Sequence, residues 1–385
     1  MIRSPSDLRG RAAISLSQVA AARSRDFVVA LESVRGLAAF SVAVFHCFDA
    51  MKFGGVRLLD RTLWNAGSTT ALLLRSITVL FNGAAAVNLF FVLSGFVLTM
   101  SLHRDSRSIG PKARGFAGRR VFRIYPALAI NLGLTFGLVS LLLALMPAVP
   151  LPSKSASQLV SNLLLQDFAI NGVTWTLLIE ILAIPFVLLG HVIAHRFGLA
   201  GILTLTVTTI ILLFSPRFAL RTLFGNYLFL FSLGMLVAEL GRKGWLASNA
   251  KPAKAGLIVS IIGLLCARFL LGYGSRWSSL VEGLASATLV ALLAFGPRCG
   301  LHDLLETRPL RFLGRISYSY YLYHPLTLVL FTSCVFRLNL PSALHASPVI
   351  LPMIVALVTV SAAIPLGWAS YVLVEKPMTW LGRGF

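Results

Sequence analysis

The chain has 385 residues, of which 57% are hydrophobic and only 12% are charged, and its mean hydropathy is +0.84. These values exclude a soluble globular protein, because apolar runs of about 20 residues, the length of a bilayer-crossing helix, recur along the chain. The net charge of +21 does not indicate nucleic acid, because the basic residues lie mainly in short connections between apolar runs, where they orient the helices and meet anionic lipid.

Ten apolar segments are predicted to be transmembrane helices. They cover residues 31–50, 82–102, 122–147, 174–194, 198–214, 222–241, 255–272, 280–297, 316–336 and 349–374. With the amino terminus placed in the cytoplasm, 24 Lys and Arg residues fall on the cytoplasmic side and 10 on the other side, which predicts that both termini are cytoplasmic.

The predicted fold is therefore all-α: a polytopic integral membrane protein with about ten transmembrane helices around a central cavity. A single transmembrane domain is expected over residues 31–377. We expect a cytoplasmic amino-terminal segment over residues 1–30 and a cytoplasmic tail over residues 378–385.

The first segment, LESVRGLAAFSVAVFHCF at residues 31–48, carries Glu32, Arg35 and His46 in an otherwise apolar helix. Arg35 and His46 are eleven residues apart, close to three whole turns, so they share one stripe with Glu32. A charged group in hydrocarbon costs about 3 kcal/mol, so the stripe predicts a polar cavity or protein partners. Counting the helical rise places His46 in the outer half of the membrane. This stripe is the leading candidate for an active site.

The second and third segments contribute a small-residue pair and a basic cluster. Ser94 and Gly95 in NLFFVLSGF fit either close approach to a ligand or helix packing through small residues. In GRRVFRIYP, Arg119, Arg120 and Arg123 lie at the predicted cytoplasmic mouth of the third segment. Guanidinium groups bind phosphate oxygens well, so this cluster suits a phosphorylated cytoplasmic ligand. The alternative interpretation is that the arginines only anchor the helix at the cytoplasmic face of the membrane.

The fourth segment carries an aromatic and an acidic residue, Trp175 and Glu180, in NGVTWTLLIE. Tryptophan is favoured at the membrane interface. An acidic group within a span indicates function, with a structural ion pair as the rival interpretation. Counting from the outer face, Glu180 is predicted about 9 Å deep, level with His46.

The ninth segment begins with GRISYSYYLYHP, which brings the hydroxyls of Tyr320 and Tyr323 close to His324. This density of polar groups predicts a cavity with sugar-like or other polar contents, although an aromatic helix interface has a similar composition. At the carboxyl end, Glu375 and Lys376 in LVEKP are interpreted as a charged helix end that snorkels to the inner face.

The chain contains six motifs in this order: LESVRG with Arg35 and His46, FFVLSGF, GRRVFRIYP, WTLLIE, ISYSYYLYHP and LVEKP. Together they resemble the acyltransferase family 3 membrane proteins, which O-acylate cell-surface and secreted glycans. The motifs span residues 31–377, and one departure is Glu32, where the family often has Asp followed by Gly. The resemblance implies transfer of an acyl group, acetyl by family frequency, from cytoplasmic acyl-coenzyme A to a hydroxyl of a glycan or lipid-linked saccharide. It also implies the bacterial cytoplasmic (inner) membrane as the location.

The resemblance places the family's characteristic Arg and His on Arg35 and His46, and its basic pair on Arg120 and Arg123. The predicted site then comprises catalytic His46, Arg35 and Glu180, donor-binding Arg119, Arg120, Arg123 and Ser94, and acceptor-binding Glu32, Trp175, Tyr320, Tyr323 and His324, with no metal. The donor's phosphates are expected on the arginines, and its pantetheine arm is expected to run up a wet tunnel past Ser94 and His324 to His46.

Two chemical routes and one rival function remain open at this point. His46 either takes the proton of the acceptor hydroxyl, oriented by Glu180, or is itself acylated and passes the group on. The rival function is a secondary transporter or flippase of a lipid-linked sugar, because intramembrane His, Glu and Arg residues also serve substrate transport.

Overall fold

The computed structural model describes residues 29–49, 52–53, 56–57, 69–147, 151, 153–215, 224–246, 250–337 and 349–384. The predicted cytoplasmic segment therefore lies almost wholly outside the described residues. Within them the chain is helical apart from loops and one antiparallel pair of two-residue strands, β1 (Lys52–Phe53) and β2 (Val56–Arg57). The prediction of an all-α polytopic membrane protein is confirmed.

The helices are numbered in chain order. They are α1 (Val29–Asp49), α2 (Thr69–Leu80), α3 (Gly83–Arg104), α4 (Ile109–Leu145), α5 (Ala156–Leu163), α6 (Trp175–Phe214), α7 (Leu228–Arg242), α8 (Ala250–Leu271), α9 (Arg276–Phe295), α10 (Gly300–Leu305), α11 (Arg308–Arg337), α12 (Ile350–Ser370) and α13 (Lys376–Leu381). A π-helical turn, Tyr371–Glu375, joins α12 to α13, and short 3₁₀ turns occur at Gly172–Thr174, Phe224–Asn226 and Gly382–Gly384.

Seven segments of the described chain are long and apolar enough to cross a bilayer: Val29–Asp49, Leu72–Arg104, Ile109–Leu145, Gly172–Phe214, Lys251–Leu271, Arg276–Phe295 and Ile350–Gly384. The three other predicted segments are also helical. One is the second half of α6, one is α7, which has only 15 residues, and one is α11, whose polar residues lower its hydropathy. The count of ten spans stays a prediction.

Helix α6 consists of two arms that meet at Gly198. Its 40 residues would measure about 60 Å if straight, twice the thickness of the hydrocarbon core. Gly198 has φ +60° and ψ −146°, a conformation that is essentially restricted to glycine. A Cβ on Gly201 would lie 2.7 Å from Cγ2 of Ile193, so the chain folds back on itself. The arms, residues 175–197 and 199–214, match the fourth and fifth predicted segments.

Glycines bring the helices of the site into close contact. Helices α1 and α11 cross where a Cβ on Gly36 would lie 2.5 Å from the backbone nitrogen of Gly314, and one on Gly314 would lie 2.5 Å from the carbonyl oxygen of Glu32. A Cβ on Gly95 of α3 would collide with the carbonyl oxygen of Phe231 of α7. Of the two interpretations of Gly95, the structure therefore supports helix packing.

We expect Gly314→Ala to lower the free energy of unfolding by about 1–3 kcal/mol, because overpacking a close helix crossing displaces backbone. Thermal unfolding of the purified protein in detergent measures this loss. Gly133→Ala in α4 is the matched control: its Cβ meets open space, and helix propensity favours alanine by about 0.5–1 kcal/mol. Equal unfolding midpoints for Gly314→Ala and the unsubstituted protein would contradict the crossing.

Candidate active site

A cavity of about 500 Å³ lies among α1, α3, α4, α6, α11 and the carboxyl-terminal residues. Its ionisable lining residues, excluding tyrosine, are Arg35, Arg104, Arg119, Arg120, Arg123, Arg383, Glu32 and Glu180. Six arginines against two glutamates give these groups a formal charge of +4. Val87, Phe90 and Phe91 supply apolar wall. The cavity therefore suits a ligand with an anionic part and an uncharged part. We call the end of the cavity that carries Arg104 and Arg383 the basic end. We call the region beyond the opposite end of the cavity, where α1 stops after His46, the histidine end.

Three consecutive residues of α11 connect three other elements around this cavity. Arg35 Nε of α1 donates to Ser317 Oγ at 3.0 Å. The Tyr318 hydroxyl donates to a backbone carbonyl oxygen of α4 at 2.8 Å, and Ser319 Oγ donates to Glu375 Oε2 at 2.8 Å. Successive helical side chains point about 100° apart, so a single turn contacts α1, α4 and the π-helical turn. These contacts explain why hydroxyl groups interrupt an apolar helix.

Glu375 is only 6% exposed, so its interpretation as a snorkelling end is wrong. It is the last residue of the π-helical turn, whose wider winding directs the carboxylate towards Ser319 instead of the membrane surface. Its carboxylate interacts electrostatically with Arg35 and Arg123. Glu375 thus supplies a counter-charge behind two arginines of the cavity.

Arg120 is occupied by protein partners. Its Nη2 donates to Ser94 Oγ at 2.9 Å, and its Nη1 lies 3.4 Å from Glu180 Oε2. The residue is only 9% exposed, so the guanidinium lies inside the bundle and not at an open mouth. The prediction that Glu180 lies level with His46 is wrong: its carboxylate pairs with Arg120 and acts electrostatically on Arg35, which lies about 16 Å from His46 along α1.

The predicted depth of Glu180, which was counted along the helix from the outer membrane face, is wrong because α6 begins inside the bundle. Asn171 Nδ2, just before α6, donates to Asn131 Oδ1 at 2.7 Å and to the Leu322 carbonyl oxygen at 2.9 Å. Thr174, the last residue of the preceding 3₁₀ turn, is fully buried. A count that starts at the outer membrane face therefore places Glu180 too close to that face.

Near the basic end, Arg119 lies 3.7 Å from Asp105 in the α3–α4 loop. Arg107 donates to the same carboxylate from Nη2 at 2.8 Å. This hydrogen bond holds the pKa of Asp105 well below its ordinary value, so the carboxylate is ionised at neutral pH. Arg119 is thus partly neutralised.

Further arginines at this end are available to a ligand. Within the described part of the chain, Arg104, Arg123 and Arg383 make no hydrogen bond or ion pair with a protein group. Arg383 and Thr379 line the cavity although both lie in the predicted tail. A Cβ on Gly382 would lie 3.0 Å from Phe122 of α4, so these terminal residues pack against the bundle.

The predicted catalytic residue His46 and the predicted acceptor-binding residue His324 are stacked. The ring centroids of His46 and His324 are 5.5 Å apart at an interplanar angle of 20°. His324 is fully buried, and neither of its ring nitrogens has a hydrogen-bond partner among the described residues. His46 is half-buried.

The cavity does not reach His46, which corrects the expected continuous tunnel. Its lining includes Tyr321 and Thr176 but neither His46 nor His324, and the Tyr321 ring lies 5.6 Å from that of His324. Tyr321 and His324 thus separate the cavity from His46. The hydrogen bonds of the Tyr321 hydroxyl are long, 3.2 Å to Thr176 Oγ1 and 3.3 Å to the Val173 carbonyl oxygen.

Three predicted acceptor residues lie away from the cavity. Trp175 packs against Tyr227 at 5.3 Å between ring centroids, and Tyr320 and Tyr323 are buried in the apolar core. Glu32 does line the cavity. Among the described residues, the tyrosines that line the cavity are Tyr318 and Tyr321, and acceptor binding by Tyr320 and Tyr323 stays a prediction. A 3.6-residue period would have found Tyr321, because it shares a face with Ser317 and His324.

These features define a polytopic helical membrane protein whose cationic cavity leads towards two stacked histidines. A family model described as an acyltransferase domain matches residues 28–372, nearly the whole chain, and the chain belongs to this family, acyltransferase family 3. No curated protein and no solved structure matches it. The protein is therefore a membrane acyltransferase.

Proposed function

We propose that the protein is an O-acyltransferase that moves an acyl group, acetyl in the first instance, from cytoplasmic acyl-coenzyme A to a hydroxyl of a cell-surface or secreted glycan. The bacterial inner membrane, with both termini cytoplasmic, is the matching location. The observation that carries this proposal is the cavity, with its charge of +4 and its approach to the histidine pair. Coenzyme A carries about four negative charges on its phosphates, followed by a long uncharged arm.

The cavity suits such a donor from end to end. Arg104, Arg123 and Arg383 would bind the phosphates, with Arg119 beside them. Phe90 would contact the uncharged arm. Arg120 and Ser94 bind each other, so the predicted direct phosphate contact of Arg120 gives way to a role in ordering the cavity.

Acyl transfer requires a base for the acceptor hydroxyl and a donor for the developing oxyanion. His46 takes the hydroxyl proton while the C–O bond forms and the thioester C–S bond breaks, and it returns the proton to the departing sulfur. His324 offers an N–H group to the oxyanion. Arg35 is about 16 Å from His46 along α1, so it is a positioning residue that holds Ser317.

The second route, in which His46 is itself acylated, has a distinct signature. Incubation with acetyl-coenzyme A in the absence of acceptor would produce an acetyl-His46 adduct, detectable by peptide mass spectrometry. Direct transfer produces no such adduct.

Tyr321 is the side chain that must move for the thioester to approach His46. Tyr321→Trp is expected to lower the transfer rate about tenfold or more, because the larger ring fills this passage, while the Kd for acetyl-coenzyme A changes less than about twofold. Tyr321→Phe, which loses only two long hydrogen bonds, is the matched control and should retain a rate within about threefold of the unsubstituted protein. Full activity of a folded Tyr321→Trp variant would contradict this role.

The proposed function is tested by incubating the purified full-length protein with acetyl-coenzyme A and glycan acceptors. Release of free thiol together with acceptor acetylation, measured by mass spectrometry, is the expected result. The rival function is tested in vesicles with a labelled lipid-linked saccharide. Saccharide movement that requires His46 but releases no thiol would replace the proposed function with transport.

A further inference from the structure

A polar group without a partner lies at the histidine end, close to His46. Asp49 is the last residue of α1 and follows His46 by one helical turn, so the two side chains share a face. Asp49 Oδ1 is buried and receives no hydrogen bond from the described residues. A buried acceptor without a donor is destabilising, and a ligand hydroxyl would supply the missing donor. The Asp49 carboxylate also acts electrostatically on His46 and on Tyr273.

Tyr273, in the turn between α8 and α9, carries a second group of this kind. Its hydroxyl oxygen is buried and has no hydrogen-bond partner in the described part of the chain. Its ring stacks on that of Phe45, the neighbour of His46, at 6.4 Å and 19°. Burial raises the pKa of the Tyr273 phenol above its ordinary value, so the hydroxyl remains a donor at neutral pH.

A buried ionic network fixes the position of Tyr273. Glu282 is fully buried and accepts hydrogen bonds from Asn82 at 3.2 Å, from Asn88 at 2.7 Å and from Arg268 Nε at 3.0 Å. Arg268 Nη1 donates to the Tyr273 carbonyl oxygen at 2.7 Å, and its guanidinium lies 5.8 Å from the Tyr273 ring centroid. Buried charges in a membrane protein are costly and typically mark function. Here the network fixes the turn between α8 and α9, which carries Tyr273, beside the histidine pair.

We propose that Asp49 and Tyr273 form the acceptor subsite and bind a polyhydroxylated compound, a saccharide, at the histidine end. Saccharide hydroxyls both donate and accept hydrogen bonds, so one hydroxyl donates to Asp49 Oδ1 and another accepts from the Tyr273 hydroxyl. The aromatic pair of Tyr273 and Phe45 offers an apolar edge to the sugar ring. An acceptor bound at this subsite enters the protein at the histidine end, whereas the donor enters at the basic end. This inference rests on the proposed function.

The test uses the purified full-length protein with saturating acetyl-coenzyme A and with methyl β-D-glucopyranoside and methyl N-acetyl-β-D-glucosaminide as probes. Tyr273→Phe, which lacks the donor hydroxyl, and Asp49→Ala, which lacks the acceptor oxygens, are each expected to raise the KM for the glycosides about five- to tenfold, the effect of one lost hydrogen bond. The Kd for acetyl-coenzyme A should stay unchanged, which also shows that the variants fold. Tyr125→Phe, a half-buried tyrosine of α4, is the matched control.

The possible outcomes separate this inference from the proposed function. Unchanged glycoside KM values in both variants overturn the subsite, as does a protein that acetylates 1-butanol but neither glycoside. In both cases acetyl transfer itself survives. Absence of acetyl-coenzyme A binding to the unsubstituted protein overturns the proposed function, and with it the subsite.

Discussion

Replacing His46 by alanine is expected to lower the rate of acyl transfer about 100- to 10,000-fold, the contribution of a general base. The Kd for acetyl-coenzyme A should change less than about twofold, because the cavity that would bind the donor ends at Tyr321, before His46. Thiol release at saturating substrate measures the first quantity, and titration calorimetry measures the second.

His195→Ala is the matched control for this prediction, since His195 is an exposed histidine of α6. It should retain the unsubstituted rate. Added imidazole should restore part of the activity of His46→Ala, because a soluble base replaces the missing ring. A His46→Ala variant that transfers at the unsubstituted rate would remove His46 from the mechanism.

Replacing Arg120 by alanine is expected to raise the Kd for acetyl-coenzyme A about 10- to 100-fold. The substitution lowers the positive charge of the cavity and leaves the Glu180 carboxylate without its guanidinium partner, facing an anionic donor. Calorimetric titration at low salt measures the change. Arg311→Ala, an exposed arginine of α11, should have little effect.

A double substitution separates the two possible roles of Arg120. If Arg120 acts by neutralising Glu180, adding Glu180→Gln to Arg120→Ala restores most of the donor affinity, because no charge is left unpaired. If Arg120 binds a phosphate directly, the second substitution restores nothing. The pairing in the structure leads us to expect restoration. Donor binding should also weaken as the ionic strength rises, since the Debye length falls from about 10 Å at 0.1 M to about 3 Å at 1 M.

Sequence patterns were sufficient for the class of protein and for part of the site. Apolar runs of bilayer length place the helices, because in hydrocarbon the backbone must satisfy its own hydrogen bonds. Helical periodicity also puts Arg35 and His46 on one stripe of α1. In the structure Arg35 lines the cavity, and His46 stacks on His324 at the histidine end.

The pairing of side chains from different helices was decided by tertiary packing. Glu180 pairs with Arg120, Tyr321 and not Tyr320 or Tyr323 lines the cavity, and Glu375 is buried. Periodicity shows which residues share a face of one helix. It does not show how that face is rotated, or at what depth the helix begins relative to its neighbours. Those two quantities depend on close crossings such as Gly36 with Gly314, which join residues far apart in the chain.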